Sequence, residues 1–155
     1  MEGALLSPLG GEANGRPFHF YNQSSTIHRL SNGLIRKRTP LLDSGSFEYA
    51  EAREKLLREA KILQRLTRYR YFPRIIAVDE KDGSIYLSDC GEVLQHENTP
   101  CDWKEQMKEI LSILDNVQVF HNDWLGLGWP SSPNLCVKDG VLCLIDFTWV
   151  KETLF

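Results

Sequence analysis

Three glycine-closed turns constrain this chain more than any other feature. Asn32-Gly33, Asp82-Gly83 and Asp139-Gly140 each lie between short apolar or alternating runs. Such dipeptides accept positive φ at little cost, so they favour tight hairpins between antiparallel strands over long parallel crossovers. Thr26 to Leu30 and Leu34 to Arg38 flank the first turn. Ile75 to Val78 and Ile85 to Leu87 flank the second, and Leu135 to Val137 and Val141 to Ile145 the third. A further extended run starts at Pro17, where Phe18 and Phe20 alternate with His19 and Tyr21.

Two segments carry helical spacing instead. In residues 46–66, Tyr49, Ala52, Leu56, Ala60 and Leu63 form one apolar stripe. Ser46 is placed to cap it, and Glu48 and Glu51 suit the positive end of its dipole. A second helix is expected over about 100–120, with Thr99 as cap, Pro100 in the first turn, and Trp103, Met107, Ile110, Leu114 and Val117 as its buried stripe. The expected first part is therefore five antiparallel strands, with one helix between the third and fourth. The fold class is α+β.

The chain has 155 residues, enough for one domain or two small lobes. Its net charge of −3 gives no broad basic field, so nucleic acid is not the expected partner. The local clusters Arg36-Lys37-Arg38 and Arg65 to Arg74 are expected to be solvated surface. No apolar run reaches the ~20 residues of a membrane span. Residues 1–16 are rich in glycine and small side chains, lack periodicity and show no secretory pattern, and are expected to form a flexible leader. Cys90, Cys101, Cys136 and Cys143 include no CxxC pair, which argues against a zinc site. Cys136 and Cys143 can face one another across a hairpin. All four are expected to be reduced core residues of a cytoplasmic protein.

The last third carries a spaced set of polar residues. His121-Asn122-Asp123 follows the second helix, Asn134 opens the third hairpin, and Asp146-Phe147 closes it. Moving a phosphoryl group requires cations against phosphate oxygens, carboxylates to hold them, and an oriented acceptor hydroxyl. Magnesium prefers one or two carboxylates together with phosphate and water. Asp146, at the end of an apolar strand, with Asn134 nearby, suits that need. Asp123 suits the orientation or deprotonation of a hydroxyl.

In this order, over residues 18–150, the chain resembles the protein-kinase-like superfamily. His121-Asn122-Asp123 is similar to the HxD catalytic loop, in a form shared with aminoglycoside-, choline- and lipopolysaccharide-kinase relatives. Asn134 resembles the loop asparagine and Asp146-Phe147 the metal-binding Asp-Phe pair. Lys37 resembles the strand lysine that holds ATP phosphates, and Glu59 the helix glutamate that pairs with it. Ile35 shares a strand face with Lys37, as an adenine contact would. Asp89-Cys90-Gly91 resembles the hinge whose backbone binds adenine.

The resemblance implies a two-lobe fold, with a five-stranded lobe over 17–91 and a much reduced lobe over 92–155. It implies ATP and Mg²⁺ as cofactors, the metal on Asn134 and Asp146, and Asp123, Lys37 and Glu59 as the catalytic set. No GxGxxG loop is present, so the turn containing Ser24 and Ser25 is expected to cradle phosphate through N–H groups and hydroxyls. Thr148 follows Phe147 where glycine is usual. The chain reaches Phe155 without an activation segment, an Ala-Pro-Glu motif or peptide-docking helices. The expected activity is transfer to a hydroxyl of a small molecule, sugar or protein. A pseudokinase-like binding module is the alternative, and a protein partner that completes the reduced lobe fits either. The loop with Trp124 and Trp129 is expected to cover an acceptor or partner, or to seal the underside of the lobe.

Overall fold

The computed structural model describes residues 5–8, 26–39, 45–121, 134–147 and 151–152. The chain is mixed α+β: among the described residues, two α-helices accompany antiparallel strands. Five strands form the largest sheet: β1 (Leu5–Pro8), β2 (Thr26–Leu30), β3 (Ile35–Arg38), β4 (Ile75–Asp79) and β5 (Ser84–Leu87), in the order β1-β2-β3-β5-β4. The edge strand β1 lies within the stretch expected to be a leader. The strand expected from Pro17 falls outside the described residues.

Register decides which side chains share a face. Ile27 lies opposite Lys37, Lys37 opposite Ile85, and Ile35 opposite Leu87. Directly opposed residues point the same way. One face of the sheet therefore carries Ile27, Ile35, Ile85 and Leu87, with a single lysine among them. Helix α1 (Phe47–Arg65) supplies the complementary stripe. The Ser46 hydroxyl accepts from the Tyr49 amide at 3.0 Å and so caps it. Leu56, Ala60, Ile62 and Leu63 are buried in the resulting core. Burying each large aliphatic side chain contributes about 1.5–3 kcal/mol.

Strand β6 (Glu92–Val93) follows the sheet and precedes helix α2 (Trp103–Asn116). The start of α2 differs from the sequence expectation. The Thr99 hydroxyl donates to the Gln95 carbonyl at 2.6 Å, closing a short 3-10 turn over His96–Asn98, and α2 begins beyond it with Asp102 at the cap position. Its end differs too. Gln118 takes φ 62°, which stops the helix, and β7 (Val119–Phe120) follows. Ile110 and Leu114 of the expected stripe are buried, with Trp103, Met107 and Val117 packed beside them.

Strands β8 (Leu135–Lys138) and β9 (Val141–Leu144) form the third hairpin, with β6 on its outer side. Asp139 at φ 52° and Gly140 at φ 78° give both central turn residues the positive φ that a tight hairpin needs. Strand β10 (Lys151–Glu152) pairs with β7. The buried Gln106 ties α2 to this hairpin. Its Oε1 accepts from the Leu142 amide at 2.8 Å, and its Nε2 donates to the Gly140 carbonyl at 2.9 Å. The Leu144 amide donates to the Tyr71 carbonyl at 2.8 Å, linking the hairpin to the turn after α1. One continuous core results, running from Ile27 in the large sheet to Phe147 beyond β9.

Candidate functional site

A buried lysine has to be paired or neutralised, and this requirement organises the site. Lys37 on β3 is 3% exposed. Its Nζ donates to Glu59 Oε1 at 2.8 Å and Oε2 at 3.1 Å, and to Asp146 Oδ1 at 3.3 Å. Burial alone would lower its pKa. The charges of Asp146 and Glu59 outweigh that effect, with their hydrogen bonds adding to it, and the pKa is raised. The ammonium is thus fixed in its charged form. This corrects the expectation of a solvated Arg36-Lys37-Arg38 cluster. Arg36 is buried as well, and only Arg38 reaches the surface, where it pairs with Asp82 at 2.8 Å.

Each partner is held in turn. Glu59 is a buried carboxylate on the packed side of α1, and its Oε2 also accepts from the Phe147 amide at 2.9 Å. One glutamate therefore joins β3 to the segment after β9. Asp146 has φ 64°, a left-handed conformation that aspartate tolerates better than most residues. Two neighbours fix this bend. The Ile145 amide donates to the Asn134 carbonyl at 2.8 Å, and the Ile145 carbonyl lies 2.9 Å from His121 Nε2. The His121 ring meets Phe147 edge-on at 4.8 Å, and Phe147 meets Phe72 at 6.0 Å. His121 is 3% exposed, with its ring nitrogen against the Ile145 carbonyl and its ring against Phe147.

The triad forms the floor of a cleft. Ile27, Ile35 and Leu87 line its apolar side, and segment 88–91 forms one wall. Asn134, Cys136, Ile145 and Asp146 close the other side. The cavity measures about 50 Å³, narrow against the ~300–1,000 Å³ of small-molecule pockets. In the wall, the Asp89 carboxylate is committed to Arg29, 3.0 Å away, and to the Gly91 amide at 2.9 Å. Asp89 therefore has only its backbone to offer a ligand.

Of the residues singled out in the sequence, Ile35, Lys37, Glu59, Asp89, Cys90, Gly91, Asn134 and Asp146 converge on this one cleft. Asp123, Ser24, Ser25, Trp124 and Trp129 lie outside the described residues. Among the described residues, no three His, Cys, Asp or Glu side chains form a metal cage. Asp146 and Asn134 remain a hard-oxygen pair of the kind magnesium accepts. The sequence pointed to neither Arg29 nor Ile27. The alternation of β2 carries Ile27's signal, whereas Arg29 meets Asp89 across 60 positions and leaves no local trace.

The cysteines depart from the expectation of four reduced thiols. Cys90 and Cys143 form a disulfide, while Cys136 stands opposite Cys143 in the β8–β9 register. Among the described residues no helix is long and apolar enough to cross a membrane. Neither protein-family models nor curated protein sequences give a match to this chain.

Proposed function

We propose that this chain is an ATP-dependent phosphotransferase of the protein-kinase-like type, with a five-stranded nucleotide-binding lobe followed by a second lobe, acting on a hydroxyl of a small molecule, sugar or protein. One observation carries the reading: a buried lysine paired with a helix glutamate and a post-strand aspartate, at the floor of an apolar cleft. A cation held in place before the substrate arrives stabilises developing phosphate charge without reorganisation. Lys37 would meet the phosphate oxygens and Glu59 would keep its side chain in position. Ile27, Ile35 and Leu87 would take the base, with the backbone of 88–91 at its edge. Asp146 and Asn134 would hold Mg²⁺, which when bound neutralises phosphate charge. Asp123 would orient the acceptor hydroxyl and take its proton.

Replacing Asp123 with Asn tests the catalytic assignment. Turnover should fall by about a hundredfold to ten-thousandfold, the weight of a positioned base, while Mg-ATP still raises the melting temperature. A wild-type rate in that variant would remove Asp123 from the mechanism.

A second reading, a binding module without transfer activity, is favoured by one specific feature. The Lys37 ammonium already lies 3.3 Å from Asp146, and the cavity is only about 50 Å³. Mg-ATP must part that contact and widen the cleft. A thermal shift with Mg-ATP but no phosphate transfer or ATP hydrolysis would leave a nucleotide-binding module, and no shift at all would favour a protein-interaction module over the phosphotransferase.

A further inference from the structure

Three cysteines gather at the cleft, two lining it and one behind them. Cys90 lies in segment 88–91, Cys143 in β9, and Cys136 directly across from Cys143 in β8. Cys90 and Cys136 both line the cavity. The bonded pair, Cys90 and Cys143, are 53 positions apart with Cα atoms 6.0 Å from one another. That spacing falls in the ~4.4–6.8 Å range in which the bridge closes without backbone movement.

The bridge stitches a seam that is already tight. Gly91 takes φ +89°, and a Cβ there would collide with the Val137 carbonyl oxygen. Lys138 Nζ donates to the Asp89 carbonyl at 3.4 Å, and the Leu94 amide donates to the Leu135 carbonyl at 2.9 Å. Glu92 and Val93 pair with Val137 and Cys136. Cys143 is three positions from Asp146, so β9 carries one end of the bridge and the segment just after it one partner of Lys37.

We propose that Cys90 and Cys143 are a reversible thiol–disulfide pair that gates the cleft. With the bond formed, segment 88–91 is fixed against β9 and the cavity stays narrow. With the bond open, only the hydrogen bonds of that seam hold the segment against β8 and β9, and it can lift so that the cleft widens for a nucleotide. Closing the bridge takes two thiols to one S–S bond, releasing two protons and two electrons. A peroxide accepts them and leaves as water. Opening it requires a dithiol, whose thiolate attacks one sulfur to form a mixed disulfide. The dithiol's second sulfur then displaces the protein thiolate. Cys136, facing Cys143, is placed to exchange with the bridge. The gate rests on the nucleotide reading above.

The test uses the full chain, either reduced with dithiothreitol or oxidised with hydrogen peroxide. Alkylation after denaturation, read by intact mass, counts thiols, and non-reducing peptide mapping identifies the pair. Mg-ATP affinity is measured on the same samples by calorimetry. Of the four cysteines, all should alkylate in the reduced sample and only Cys101 and Cys136 in the oxidised one. The reduced protein should bind Mg-ATP more tightly by roughly tenfold or more, a population shift of one decade. Cys143→Ser, which does not line the cavity, should bind like the reduced protein under both conditions. Cys101→Ser, at an exposed position, should keep the redox response. Equal affinity in both states, with the bridge mapped, overturns the gate and leaves the nucleotide reading intact. Failure to map a Cys90–Cys143 bridge after oxidation also overturns it. If no sample binds Mg-ATP, the nucleotide reading falls and takes the gate with it. The wild-type comparison alone decides the matter where a serine variant does not fold.

Discussion

Lys37 is the residue on which the site turns, and its position carries a large energetic asymmetry. A buried ion pair adds little net stability compared with an apolar substitute, but removing one partner leaves uncompensated charge in the interior. Here two carboxylates would be stranded at once, Glu59 and Asp146. Lys37→Met should therefore destabilise the protein by about 3–5 kcal/mol in urea unfolding, the range for breaking a buried pair. A loss below about 1 kcal/mol, the median for a surface pair, would mean that the triad is not buried in solution. The pH dependence has a definite sign. The pKa of Lys37 is raised above its ordinary value of 10.5. Its contribution is then fully present below that ordinary value and lost as pH climbs through the raised one. The stability gap between wild type and Lys37→Met should stay level from pH 7 to 9 and narrow above about pH 10.5. Sequence alone leaves this lysine ambiguous, because it sits between two arginines. Its partners lie 22 and 109 positions away, where no local pattern can report them. Ordered motif matching placed it in the cleft; local charge patterning placed it in solvent.

At the level of elements, local signals worked where they were strong and failed where a side chain had a better partner. The start of α1 was legible because Ser46 does what a capping serine does, and the next turn carries Glu48. The start of α2 was not. Thr99 is a good cap by type, but its hydroxyl turns back to Gln95 and ends a different turn. Gln106 was missed for a related reason. It lies four positions before Ile110 and eight before Leu114, on the packed side of α2, yet as a polar residue it adds nothing to an apolar count. Its amide closes two backbone bonds of the β8–β9 hairpin. Gln106→Leu keeps the bulk and strands the buried Leu142 N–H. The expected loss is about 1–3 kcal/mol, the desolvation penalty of unsatisfied polar groups, together with faster hydrogen exchange at the Leu142 amide. Unchanged exchange there would show that the amide finds another acceptor. The three turn glycines were legible throughout, since each sits at positive φ in a hairpin turn.

At the level of the whole molecule, the parts share one interior. The apolar cluster contains Ile27, Ile35 and Ile85 of the large sheet, Leu56 and Leu63 of α1, Ile110 and Leu114 of α2, and Leu135, Leu142 and Leu144 of the hairpin. Its members lie on both sides of the boundary expected near Gly91. Phe147 sits where these parts meet. It is 1% exposed, its ring contacts Phe72 and His121, and its amide reaches Glu59. Phe147→Ala removes a buried aromatic from that junction and should cost about 3–5 kcal/mol. If the interior is a single unit, the loss will not stay local. Far-ultraviolet dichroism and tryptophan fluorescence should give coincident urea transitions, both shifted to lower denaturant by the same amount. Amides of β3 and β5 should lose as much protection as those of β8 and β9, because all open through the same global event. Protection lost in β8 and β9 with β3 and β5 unaffected would instead make the hairpin a separately unfolding unit. The Lys37–Asp146 contact would then be a contact between two independent bodies rather than a fixture of one core.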